Sequence, residues 1–75
     1  MRHYNDWKVV LYDLDGQRHV AGGFDAVGGL AWFRWLHAWW SKQAIYGGTV
    51  RLELWRGGKR VISLVVLPSG RVLTN

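Results

Sequence analysis

The sequence predicts an α+β domain: an antiparallel sheet of about five short strands, in the chain order β-β-α-β-β-β, with one amphipathic helix packed on one face. Three observations predict it. Most apolar and β-branched residues fall in short segments bounded by glycine pairs or turn residues, the pattern of strands. One longer segment instead repeats its apolar residues at helical spacing. That segment has two strand-like stretches before it and three after it.

Taken in order, residues 7–14 (WKVVLYDL) read as a strand. Asp15-Gly16 suits a two-residue type I′ turn, because that turn needs positive φ at both central residues. Residues 17–21 (QRHVA) return as a short, polar edge strand, which Gly22-Gly23 is expected to end. Residues 24–43 (FDAVGGLAWFRWLHAWWSKQ) hold Trp32, Trp35, Trp39 and Trp40 of the chain's six tryptophans. On a helical wheel these four, with Phe33, Leu36 and Gln43, share an arc of about 160°. Arg34, His37, Ser41, Lys42, Ala31 and Ala38 lie opposite. Asp25 is positioned as the N-cap, its carboxylate accepting from the unpaired amides of the first turn. Gly28-Gly29 predicts a late start near Gly29, and Gly47-Gly48 a stop.

The tryptophan arc is expected to form the core. A buried Trp removes roughly 150–250 Å² from water, and a chain without cysteine has no disulfide to stand in for such burial. Trp39 marks the centre of the arc, where truncation to alanine would cost about 3–5 kcal/mol. Trp35 and Phe33, at its edges, are expected to stay partly exposed.

Beyond the helix, residues 49–55 alternate Val50, Leu52 and Leu54 against Arg51, Glu53 and Trp55. Arg56-Gly57-Gly58-Lys59 forms a hairpin loop. Residues 60–67 (RVISLVVL) are apolar at nearly every position, as in a strand covered on both faces. Pro68-Ser69-Gly70 turns the chain into a short last strand at 71–74. One helix covers one face, yet Val61, Val65 and Leu67 point away from Ile62, Leu64 and Val66. Val10 and Tyr12 likewise oppose Val9 and Leu11. Either the first hairpin curves over the second face or another chain covers it, so a homodimer or a sheet-mediated partner contact is expected.

The 75 residues are expected to form one small basic domain, 1–75, with a net charge of +5. No apolar run approaches the roughly 20 residues that span a bilayer, and MRHYNDWK is too polar for a signal peptide. A cytoplasmic location without membrane contact follows as the expectation. The cation excess favours polyanionic partners, either nucleic acid or an acidic protein face.

The motif VVLYDLDGQ at 9–17 resembles the first motif of the haloacid dehalogenase superfamily, an apolar strand followed by Asp-x-Asp-Gly. That resemblance implies Asp13 as a phosphorylated nucleophile and Asp15 as its acid/base partner. It covers nine residues and departs from the pattern at Gln17. After Asp15 the carboxylates are Asp25 and Glu53, which do not form the later acidic pair that the family uses for magnesium. Strand-Asp-Gly-strand is equally an ordinary hairpin, and that reading is adopted here. Asp13, Asp15 and Gly16 also resemble part of an EF-hand loop, but Phe24 stands where the bidentate glutamate belongs. His3, His19 and His37 lack metal-ligand spacing. Ser41, Ser63 and Ser69 lack a nucleophile-elbow context, and Gly57-Gly58-Lys59 lacks the Walker spacing. No enzyme, catalytic residue, metal or cofactor is therefore expected.

Arg51, Trp55, Arg56, Lys59, Arg60 and Arg71 gather along one hairpin and its neighbour, with Trp35 at the helix edge as a further contact. Two functions suit this set. The first is a non-enzymatic binding protein that occludes a surface of a larger machine. Its partner would be an acidic or nucleic-acid-facing surface of a protein complex, as for phage or mobile-element accessory proteins such as anti-CRISPR-type inhibitors. The second is direct nucleic-acid binding, with cations on phosphates and Trp55 stacked on a base.

Overall fold

A computed structural model describes residues 5–43, 48–68 and 71–74. The expectations at His3, Gly47, Ser69 and Gly70, and for the Gln43 side chain, lie outside the described residues. The elements are β1 (Trp7–Tyr12), β2 (Arg18–Phe24), α1 (Ala26–Gln43), β3 (Val50–Arg56), β4 (Lys59–Val66) and β5 (Val72–Thr74). They form one antiparallel sheet in the order β2-β1-β3-β4-β5, with α1 on one face. The α+β class and the chain order are as the sequence predicts.

The first turn differs from expectation. The Asp13 carbonyl accepts from Gly16 N–H at 3.0 Å, and Asp13 N–H donates to the Gln17 carbonyl at 3.0 Å. Gly16 has φ 79° and Asp15 has no positive φ, which excludes type I′. The loop is instead a type I turn closed by a left-handed glycine. The Asp13 side chain builds it: Oδ1 accepts from Asp15 N–H and Gln17 N–H, both at 2.9 Å. β1 consequently stops at Tyr12 rather than at Leu14.

Gly22-Gly23 does not end β2. Trp7 pairs with Phe24 and Val9 with Ala21, so β2 carries one extra residue there. Gly23, at φ 80°, absorbs that residue as a bulge and the strand continues.

The helix starts at Ala26 and not near Gly29. Asp25 Oδ1 accepts from Gly28 N–H at 2.7 Å, the expected cap. Gly29 sits so near the sheet that a Cβ there would lie 3.1 Å from the Trp7 Cβ. Its missing side chain lets the first turns dock closely, and docking offsets glycine's weak helix propensity.

The core cluster joins Val9 and Leu11 of β1, Val50, Leu52 and Leu54 of β3, and Leu64 and Val66 of β4 to Phe33 and Leu36 of α1. The first hairpin does not fold over the second face. β1 lies inside the sheet between β2 and β3, and among the described residues no element covers that face. Among the described elements, β4 is therefore covered on one face. A register shift opposite Leu54 and Trp55 leaves Val61 unpaired and exposed, while Val65 and Leu67 are half-buried.

Candidate binding surfaces

The sheet contacts only one side of the apolar arc of α1. Gly29, Phe33, Leu36 and Trp40 recur at the spacing of one helix face, and this seam enters the core. Trp32, Trp35 and Trp39 form a second seam, turned away by roughly a quarter of a revolution. They are 37%, 54% and 43% exposed, whereas Phe33 is 4% exposed. The expectation of a buried tryptophan arc is thus corrected, with Trp39 outside the core and Phe33 within it. Trp35 is exposed, as expected of an arc edge. Sorting by hydropathy merges the two seams. Gly29 was the signal that separates them, because the closest approach of a helix to a sheet needs its smallest residue.

The outer seam is an ordered stack. The rings of Trp32 and Trp35 are 5.1 Å apart and within 3° of parallel. Trp35 and Trp39 follow at 6.4 Å and 8°, and Trp40 meets Trp39 edge-on at 4.7 Å. Beside it a groove of about 280 Å³ opens between α1 and the first hairpin. Val9 and Leu11 line it from β1, His19 and Ala21 from β2, and Trp32 and Trp40 from the helix. At its rim the His19 Nε2 lies 2.8 Å from Asp13 Oδ2. The hydrogen bond to His19 and those from the Gln17 and Asp15 amides hold the Asp13 carboxyl below its ordinary range, outweighing desolvation. Asp13 is therefore engaged throughout the hairpin turn.

The pleat divides the basic residues expected to act together. Arg56 and Lys59 pair at the β3–β4 tip on the helix side, where the Arg56 guanidinium lies 5.9 Å from the Trp7 ring centre. Arg51, Trp55 and Arg60 point to the opposite face. Arg71 precedes β5 at the far end of β4, its carbonyl accepting from Leu67 N–H at 2.8 Å. Trp35 lies on α1, apart from all of them.

On the bare face, β1 contributes two residues that sequence reasoning did not include in the site, Lys8 and Tyr12, and β2 contributes Arg18. Lys8 Nζ sits 5.2 Å from the Trp55 ring centre. Trp55 Nε1 donates to Glu53 Oε1 at 3.1 Å, and Arg60 Nη1 to Glu53 Oε2 at 3.3 Å. Their absence from the expected site has a simple cause. β1 pairs with β3 across the whole helix, so Lys8 meets Trp55 only through a register that local pattern does not reveal.

No helix among the described residues is long and apolar enough to cross a membrane. No protein-family model, curated protein or solved structure matches the chain.

Proposed function

We infer that this chain is a non-enzymatic protein-binding module that docks through the tryptophan ladder of α1 and covers an apolar surface on its partner. One observation carries the reading: Trp32, Trp35 and Trp39 are stacked in register yet exposed, on a helix that already has a separate buried seam. The fold does not need them for its core. Tryptophan is among the residues that dominate binding hot spots. Stacking fixes the rings before a partner arrives, which lowers the entropy lost on docking. The adjoining groove can take an aliphatic side chain, and Lys42, one turn beyond Trp39, favours an acidic rim on the partner. A homodimer through the bare sheet face is less suited, since it would set Lys8, Arg18, Arg51 and Arg60 against their own copies.

The test places a photo-crosslinking amino acid at Ala31, beside the ladder, and at Val61 on the sheet as a control. Protein adducts are expected from Ala31 and not from Val61. Trp35→Ala combined with Trp39→Ala should abolish them, with a loss of at least about 2 kcal/mol in binding. Adducts unchanged in that double variant, with its helical circular dichroism intact, would refute the ladder as the docking surface.

A further inference from the structure

The cross-strand register of the bare face sets the same arrangement twice. Tyr12 pairs with Arg18 on one side and with Arg51 on the other. Trp55 pairs with Lys8 on one side and with Arg60 on the other. Each row is a cation, an aromatic ring and a cation, spanning three strands. Tyr12 and Lys8 are four residues apart on β1, so the rows are about 13 Å apart. Between them runs Val20–Val10–Glu53–Ser63, a row in strand register. Its centre is sunk, with Val10, Glu53 and Ser63 at 1%, 5% and 3% exposure although no described element covers them. Trp55 and Arg60 of one flanking row fold over that centre and donate to Glu53.

Cations outnumber carboxylates on this face. Glu53 is buried against Arg60, and Asp6, an exposed carboxylate just before β1, lies at the edge beside Gly57 of the β3–β4 turn. Asp13 and Asp15 belong to the β1–β2 turn, and Asp25 caps the helix. Arg18 and Arg51 are exposed and have no carboxylate partner among the described residues.

We propose that this face binds single-stranded nucleic acid, with Tyr12 and Trp55 as base-stacking platforms and Lys8, Arg18, Arg51 and Arg60 on the phosphates. Stacking rings interleaved with cations on an open surface is the chemistry that holds unpaired strands, because every base offers a π-face and every link a charge. The row spacing matches about four nucleotides at the 3.4 Å stacked rise and fewer if the strand is extended. A base on Trp55 displaces the Lys8 ammonium from the ring onto a neighbouring phosphate. Duplex is the poorer ligand, since its bases are already stacked. The surface is separate from the tryptophan ladder, and the proposal stands independently of protein docking there.

The experiment is a titration of the intact chain with fluorescein-labelled oligo(dT) of about ten nucleotides, followed by anisotropy from low to physiological salt. Saturable binding is expected, with a log–log salt slope of about −3 and a fall of about 0.7 in its magnitude for each cation removed. Arg18→Glu with Arg51→Glu should weaken binding at least about tenfold while leaving the circular dichroism unchanged. Tyr12→Leu should weaken it about 5- to 150-fold with little change in slope, separating stacking from charge. Absence of binding at low salt would overturn the proposal. So would equal affinity for duplex of matched length, or for phosphatidylserine vesicles with the same variant profile, because charge alone would then be recognised. Loss of binding in Arg56→Glu with Lys59→Glu, and not in the Arg18/Arg51 pair, would also overturn it by moving the contact to the hairpin tip.

Discussion

On the helix side of the sheet, Leu52 and Leu64 are shielded from water by Phe33 and Leu36 of a separate element. On the other side, Val10 and Ser63 are as deeply buried with no described element above them, between rows of long cationic and aromatic side chains. The first kind of cover is apolar, close-packed and unavailable to a ligand. The second is cationic and aromatic, held by hydrogen bonds at the surface, and can be moved by a ligand that replaces its contacts. Strand alternation thus separates a face that stabilises from the face proposed to recognise a ligand. The helix repeats the division with its inner and outer seams.

Removal of Phe33 tests the stabilising side most severely. Phe33→Ala should cost about 3–5 kcal/mol in a urea titration, since its ring is buried in the cluster. A loss below about 1 kcal/mol would mean that the inner seam is not the core. Glu53→Ala probes the opposite face and should cost about 1–2 kcal/mol by removing the acceptor of Trp55 and Arg60. Glu53→Gln should retain most of that, because an amide oxygen still accepts from the indole. Trp39→Ala is expected to cost about 1 kcal/mol, from its two ring contacts. If Trp39→Ala proves as damaging as Phe33→Ala, the distinction between seams fails.

The smallest effect is the pH dependence of the first hairpin. The carboxyl of Asp13 is held below its ordinary range by His19 and the turn amides, so the folded state favours its charged form. Its contribution is complete above the ordinary carboxylate range and is lost as pH falls through the lowered value. Thermal midpoints of the native chain and of Asp13→Asn should therefore converge on acidification from pH 5 downwards. Parallel curves would show that Asp13 does not gain from the turn.

Much of the fold is legible because its signals are local. Alternation at Val50–Trp55 and the glycine pair after Arg56 place β3 and its turn within a residue. Asp25 announces the start of the helix. Gly22-Gly23 misleads because glycine marks both breaks and bulges, and only pairing with β1 tells which. The azimuth of α1 is hidden for a related reason: six apolar residues define an arc but not the edge that docks. The bare face is least legible, since both of its rows depend on β1–β3 register. Arg51, Trp55 and Arg60 can be named from sequence as a basic hairpin, but their association with Lys8, Tyr12 and Arg18 cannot.

That same β1–β3 pairing sets an order of events in folding. The β1–β2 and β3–β4 hairpins close over short loops, on a scale of about 1–10 microseconds in isolated peptides. Joining them means closing a loop that contains β2 and all of α1, and such non-local closure is the slow step in small β-containing domains. The inner seam of the helix packs on β1 and β3 together, so neither hairpin alone offers it a complete surface. Until the two meet, the N-terminal strand is an open edge looking for a partner, and the time spent in that state is when this chain is most exposed to mispairing with its own copies.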